Sequence, residues 1–236
     1  MKYIAEIPAR IDSKRVRKKN LRLLNGKPMI QYAIEACKGS NRIDTVYVNT
    51  DSDLIGRIAI DSDIGYYKRK KELASDDCKQ DEFNYDFFMH MDCDAIVMVN
   101  PVSPLVEASD IDSAITYFEQ ENLDTLISTK KEQLHAIFQG KPLNFCTDSL
   151  LPATQDIDPV QICTWNICIW RKETFVKAYE NLGFAAFSGK VGYWAMDPIK
   201  AVKISYEEDF RMAEEILRSR EGRATDYKAS YYADEE

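Results

Sequence analysis

Short unbroken apolar runs alternate along the chain with stretches whose apolar residues recur every three or four positions. Runs of the first kind predict buried strands, and stretches of the second kind predict helices packed by one face. Tyr3–Pro8 is the first strand, followed by a polar, basic loop over Ala9–Lys27. Pro28 suits the first turn of a helix, on which Ile30, Ala33, Ile34 and Cys37 share a face. Thr45–Asn49 is the second strand and stops at the polar turn Thr50-Asp51-Ser52. Leu54–Ile60 reads as a helix and Gly65–Lys68 as a third, short strand. Asp81–Met91 is helical, with Phe83, Phe87 and Met91 on one face. Asp94–Val99 is the clearest buried strand, stopped by Asn100-Pro101-Val102-Ser103-Pro104. Ser109 is placed to cap a helix carrying Ile111, Ala114, Ile115 and Phe118, and Thr125–Thr129 is the next strand.

Strict alternation of strand and helix predicts parallel strands with helices on both faces. The rhythm weakens over residues 130–165, which suits an excursion from the main sheet. Gln161–Trp170 is again a strand and Lys172–Asn181 a helix. Lys190–Met196 and Ala201–Ser205 read as short strands. Glu207–Leu217 is a final helix with Phe210, Ala213, Glu214 and Leu217 in register, followed by a polar tail. Ligands of open α/β sheets sit beyond the carboxyl ends of the strands. The loops Ala9–Lys27, Thr50–Asp53 and Asn100–Leu105 leave that edge, so the site is expected there.

Composition narrows the class. The 236 residues include 31 Lys plus Arg against 39 Asp plus Glu, a net charge of −8, which disfavours a general nucleic-acid binder. Apolar residues make up 45%, enough for a packed core. No apolar run approaches the roughly 18–20 residues that span a bilayer. The opening MKYIAEIPAR is too short and, at Glu6, too interrupted for a secretory signal. The expected placement is cytoplasmic, with no membrane or nucleic-acid partner. The six cysteines are scattered, form no C-x-x-C pair and have only His90 and His135 as histidine company, so they read as free thiols and not as zinc ligands.

Against this acidic background, six of the nine residues from Lys14 to Arg22 are Lys or Arg. A cluster of this kind, directly behind the first strand, suits a polyanion such as a triphosphate, held by cationic side chains and backbone N–H groups. A solvated basic loop is the other reading of the charge run alone. Gly26-Lys27 lacks both the earlier glycine and the following Ser or Thr of a P-loop, and no G-x-G-x-x-G follows the first strand.

Ile7-Pro8-Ala9-Arg10, Ser13-Lys14-Arg15, Lys18-Lys19-Asn20 and Leu24-Asn25-Gly26-Lys27-Pro28 resemble the opening of the cytidylyltransferases that make CMP-activated sugar acids. These include the CMP-sialic acid synthetases and their relatives acting on other nonulosonic acids or Kdo. The resemblance continues through Lys68-Arg69 with Glu72-Leu73-Ala74-Ser75-Asp76. It extends over Asn100-Pro101-Val102-Ser103-Pro104-Leu105, Gln155-Asp156-Ile157-Asp158-Pro159-Val160, Gly189-Lys190-Val191-Gly192-Tyr193 and Glu207-Glu208-Asp209-Phe210.

The resemblance implies a mostly parallel, Rossmann-like α/β/α sandwich of the nucleotide-diphospho-sugar transferase kind. Residues 1–220 would form one nucleotidyltransferase domain, 130–165 a dimerisation arm and 221–236 a polar tail. The implied reaction is attack of a sugar-acid hydroxyl on the α-phosphorus of CTP with Mg²⁺. Ala9, Arg10, Ser13, Lys14 and Lys19 would bind the nucleotide, with Arg10, Lys19 and Asn20 catalytic. Asn20, Arg69, Asn100, Gln155 and Tyr193 would face the acceptor, Arg69 also the cytidine. The implied homodimer would carry an arm whose Lys131 or Gln155 acts across to the neighbour's site.

Four positions depart from the family pattern. Its metal-binding Asp-Ile-Asp is Lys203-Ile204-Ser205 here, and its Gly-Gly after the arginine is Ile11-Asp12. Its Asn-Gly-Ala or Asn-Gly-Ser is Thr164-Trp165-Asn166, and Thr154 stands where an arginine is common. Asp12 is thus the candidate displaced metal ligand of a rearranged active site. The alternatives are a nucleotide-binding relative with impaired catalysis, a relative using another base, and one with a phosphonate or other non-sugar acceptor.

Overall fold

A computed structural model describes residues 1–12 and 16–221. Its sheet has seven strands: β1 (Tyr3–Pro8), β4 (Thr45–Thr50), β5 (Gly65–Lys68), β6 (Ala95–Val99), β7 (Thr125–Glu132), β10 (Val160–Arg171) and β11 (Val191–Ala195), in the order β11-β7-β10-β6-β1-β4-β5. Four two-residue strands complete the set: β2 (Leu23–Leu24) with β3 (Lys27–Pro28), and β8 (Ile137–Phe138) with β9 (Lys141–Pro142).

The central strands are apolar on both faces because helices cover both. Tyr3, Ala5 and Ile7 of β1 pack with Ile30 and Ile34 of α1 (Met29–Gly39), Ile55 of α2 (Asp53–Asp61), and Ile111, Ile115 and Phe118 of α4 (Ala108–Gln120). On the other face, Ile4 and Met98 meet Phe87 and Phe88 of α3 (Gln80–His90) and Phe175 of α5 (Lys172–Leu182). A third, smaller core joins Leu24, Met29, Val102 and Ile204 to Phe210 and Ala213 of α6 (Glu207–Glu221).

All neighbours in the sheet are parallel except β10, which runs antiparallel to both β6 and β7. β7 ends at the carboxyl edge, and the excursion after it returns to β10 at that same edge, so β10 runs back. The excursion carries the β8–β9 hairpin, whose turn residues Gln139 and Gly140 both have positive φ, as a two-residue hairpin of this twist requires. Its Ile137, Phe138, Leu143, Leu150 and Leu151 are exposed.

Three local expectations are corrected. Ser109 is not the cap of α4: the helix begins at Ala108, and the Asp110 carboxylate accepts from the Glu107 backbone N–H at 2.9 Å. Ala201–Ser205 is not a strand; it lies across the carboxyl edge, where the Ile204 N–H donates to the Val102 carbonyl at 2.8 Å. The buried face of α3 holds Asn84, Phe87 and Phe88, while Phe83 turns toward an arginine described below.

Candidate functional site

The site grows from the end of β1. The Ala9 N–H donates to the Asn49 carbonyl at 3.0 Å, and the Ile11 N–H donates to Asp51 Oδ1 at 3.2 Å. These bonds tie the start of the basic loop to the end of β4. The loop returns at Lys18, whose φ of 46° turns the chain into a short 3₁₀ helix over Lys19–Leu21. Asn20 is thereby buried beneath the loop, where its Nδ2 donates to the Arg10 carbonyl at 3.0 Å. Its Oδ1 is buried with no partner among the described residues. Lys19 Nζ donates to the Ile204 carbonyl at 2.7 Å, so the loop also holds the segment before α6.

Asn20 is therefore tied to the Arg10 backbone, with Lys19 next to it on the same turn, while the two cationic side chains reach opposite ways, Arg10 to Asp76 and Lys19 to Ile204; Ala9 is buried. Ser13 and Lys14 lie outside the described residues. Arg22, the last cation of the run, is structural: its guanidinium donates to both Glu207 carboxylate oxygens (2.5 and 2.7 Å) and lies 3.9 Å over the Phe210 ring. Arg10 reaches across to the loop after β5, where Nη1 donates to Asp76 Oδ1 at 2.7 Å.

Arg69 follows β5 and is only 4% exposed. Its Nε donates to Asn49 Oδ1 at 2.9 Å and its Nη2 to the Asn49 carbonyl at 3.0 Å, while the guanidinium stacks 4.2 Å from the Phe83 ring centre. Asp51 and Arg10 both act on it electrostatically, so it belongs to the same edge.

The Asn100–Pro104 turn forms the wall beyond β6. Asn100 Oδ1 accepts the Val102 N–H at 3.3 Å, so this side chain shapes the turn. The Ser103 hydroxyl is buried without a partner among the described residues. Beside it, β10 bulges between Cys163 and Cys168. The Ser128 hydroxyl accepts the N–H groups of Asn166 and Ile167 at 2.9 and 3.0 Å and so satisfies the bulge. Trp165 occupies the bulge with φ of 57°, in the left-handed region that a bulky side chain rarely adopts, and its ring meets Phe187 edge-on at 5.6 Å. Asn166 is fully buried and its Oδ1 has no partner among the described residues.

Other expected residues are placed less centrally. Tyr193 is half-exposed on the edge strand β11. Gln155 is exposed on the excursion, in a turn fixed locally by Gln133 Nε2 donating to the Thr154 carbonyl at 2.7 Å. Lys203 and Ser205 flank Ile204 at the carboxyl edge. Asp12 is exposed and has no hydrogen bond or ion pair among the described residues. A cavity of about 670 Å³ beside Asp94, Arg171 and Lys172 lies at the opposite, amino end of β6, remote from this edge. The sequence reading missed Asn49 and carried Asp76 and Asn166 only inside motifs of the resemblance, without a role of their own. It also gave no role to Glu6, whose one visible signal was a carboxylate inside an apolar strand.

Residues 4–149 match the cytidylyltransferase family. The chain is 30% identical over 186 residues to the N-acylneuraminate cytidylyltransferase of Streptococcus agalactiae serotype V, covering 75% of this chain and 45% of that protein. It thus spans less than half the length of that relative. It is 25% identical over 242 residues to the post-translational flagellin modification protein B of Campylobacter coli, covering 95% of this chain and 98% of that one. The fold is similar to CMP:2-keto-3-deoxy-manno-octonic acid synthetase solved with CTP, with a TM-score of 0.69 at 14% identity over 93% of this chain and 100% of that one.

Cytidylyltransferases of this kind generally use a divalent metal. Among the described residues no group of three or more His, Cys, Asp or Glu could hold one. At 203–205 the donors are an ammonium, a carbonyl already taken by Lys19, and a hydroxyl. Such a set does not suit a resident cation. A metal bound mainly by phosphates needs only one or two protein carboxylates, and the unengaged Asp12 fits that demand.

Proposed function

The chain belongs to the cytidylyltransferase family, and we propose from that premise that it transfers CMP from CTP to a sugar acid. The acceptor hydroxyl oxygen forms a bond to the α-phosphorus, the bond to the β-phosphate breaks, and pyrophosphate leaves with the electron pair while the hydroxyl proton passes to solvent. The observation that carries this reading is the turn behind β1, where the Asn20 amide bonds the Arg10 carbonyl and Lys19 stands beside it. Two cations there neutralise the triphosphate, and a buried amide has an acceptor atom without a partner among the described residues. Phosphoryl-type transfer demands chiefly positioning and charge neutralisation, which is what these groups supply.

In this reading Ser13 and Lys14 extend the phosphate grip, and Arg69 borders the cytidine. Asn100, with Tyr193 and Gln155, faces the acceptor. Asp12 would hold a Mg²⁺ that comes with the triphosphate, and the bound metal would supply neutralisation of phosphate charge. Residues 1–220 act as one domain. The excursion within 130–165, with its exposed Ile137, Phe138, Leu150 and Leu151, is a dimerisation arm in a homodimer, where Lys131 or Gln155 reaches the neighbour's site. Among the described residues no helix is long and apolar enough to cross a membrane. All six cysteines are unpaired, and we place the protein in the cytoplasm.

Lys203 and Ser205 favour a second reading, a nucleotide binder of weak turnover. Pyrophosphate release by the full chain with CTP, Mg²⁺ and a panel of sialic-acid-like and Kdo-like acids separates the two. Release with one acceptor supports transfer. CTP binding without release across the panel favours the second reading, and absence of CTP binding overturns both.

A further inference from the structure

Glu6 is a carboxylate at the centre of the sheet with no exposed surface, opposite Tyr47 of β4 and Met98 of β6. A buried charge is costly unless it is paired and hydrogen-bonded. Its Oε1 accepts from Asn49 Nδ2 at 2.6 Å, and its Oε2 has no partner among the described residues. No direct ion pair joins it to a cation among the described residues. Asn49, also without exposed surface, carries the connection onward, since its Oδ1 accepts from Arg69 Nε at 2.9 Å.

This order fixes a direction. An amide side chain can present either its oxygen or its nitrogen to a neighbour. An ionised carboxylate only accepts, so it holds the Asn49 nitrogen, and the Asn49 oxygen must then face Arg69. The Asn49 carbonyl receives both Arg69 Nη2 and the Ala9 N–H, so the same residue joins Arg69 to the base of the basic loop. With Nε and Nη2 engaged and the ring of Phe83 beneath, Nη1 is the arginine nitrogen with no hydrogen bond among the described residues.

We infer that Glu6 is a positioning residue, which orients Arg69 through the Asn49 amide and so sets how tightly, and with what pH response, the strand-edge site holds its nucleotide. The inference rests on the reading of that edge as a CTP site. Burial pushes the Glu6 carboxyl up to about 7, against the opposing pull of Arg69 and the Asn49 hydrogen bond. Its charge is therefore present above neutrality and lost below it, and a protonated Glu6 holds the Asn49 amide less firmly, leaving Arg69, which only donates, to fix the Asn49 oxygen without a charged partner behind it. The titratable groups facing it are Arg69 and Tyr67 from the β5 side and Tyr47 from β4. From α3, Asp86 and His90 bond the Tyr67 hydroxyl at 2.6 and 3.1 Å. Asp51, Cys78 and Arg10 act on Arg69 from the loops.

The test uses the full chain, wild type and Glu6→Gln, in two measurements from pH 5.5 to 8.5. The first follows the Arg69 Nε–Hε resonance by nitrogen-15 NMR without ligand, assigned by its loss in Arg69→Lys. The second is calorimetric CTP affinity. CTP's own terminal phosphate titrates in this range, so the quantity read is the ratio of variant to wild-type Kd at each pH. The expected result is an Arg69 resonance that titrates near pH 7 in the wild type and not in Glu6→Gln. The Kd ratio is expected to rise from near one at pH 5.5 to about tenfold at pH 8.5, the scale of one charge-assisted hydrogen bond. A wild-type resonance that does not move, or a ratio of one at every pH with CTP bound, overturns the inference. A titrating resonance in a protein that binds no CTP sustains the positioning of Arg69 and refutes the CTP reading instead.

Discussion

Replacing Asp76 by asparagine should tighten CTP binding. Arg10 Nη1 lies 2.7 Å from Asp76 Oδ1, with the two side chains 37% and 46% exposed. An ion pair this open is worth about 0.2–1 kcal/mol, and a phosphate that takes Arg10 must give up that amount. The displaced carboxylate then stays near the phosphates. At roughly 6 Å in a water-like dielectric, its repulsion of one phosphate charge is about 0.7 kcal/mol. The two effects together make about 0.9–1.7 kcal/mol, or roughly a five- to twentyfold lower Kd at low salt. The asparagine side chain keeps the size of the aspartate and removes its charge. Calorimetric titration with CTP at about 0.02 M and 0.3 M salt reads the effect, which should shrink at the higher salt as screening shortens the interaction. An unchanged or weaker affinity in Asp76→Asn would refute the reasoning, because Asp76 would then be orienting Arg10 for the ligand and not competing with it.

Lys19→Met should weaken CTP binding about tenfold or more, since it removes a cation from the phosphate grip; thermal shift with and without CTP checks it, and an undiminished shift counts against the grip. Ser128→Ala strands the Asn166 and Ile167 N–H groups of the β10 bulge, each costing about 1–3 kcal/mol, so the urea midpoint should fall clearly. Glu6 bears on stability with a definite sign. Its folded pKa, about 7, lies above the ordinary 4.5. The folded state therefore binds more protons between those values, and stability falls as pH rises through that window. Glu6→Gln should accordingly be more stable than wild type at pH 8 by about 1–3 kcal/mol, with the advantage gone near pH 4.5; equal urea curves at pH 8 would contradict this. Lys203→Asp should raise the Mg²⁺ dependence of pyrophosphate release, measured as rate against Mg²⁺ concentration.

Much of the fold was legible because its signals are local. The runs Tyr3–Pro8 and Gly65–Lys68 are strands with the expected bounds, and Ile30, Ala33, Ile34 and Cys37 are all buried on α1. The errors arose where tertiary contacts decide. Ala201–Ser205 has the composition of a strand, but its backbone is tied instead to the Val102 carbonyl and to Lys19. Phe83 kept the helical period yet faces Arg69, because a guanidinium there offers a stacking partner. The antiparallel course of β10 depends on where the excursion returns, which no local pattern encodes. At the site, the charge run marked the loop, but Arg22 proved to be the anchor of α6. The chain Glu6–Asn49–Arg69 links residues 43 and 20 positions apart, so only the folded sheet brings it together.

The most direct measurement is calorimetric titration of the full chain with CTP and Mg²⁺, repeated with Arg10→Ala. One CTP per chain, with a Kd below about 1 mM that rises at least tenfold in the variant, is the expected result. No heat of association at millimolar CTP would contradict the assignment of the loop behind β1 to the nucleotide's phosphates.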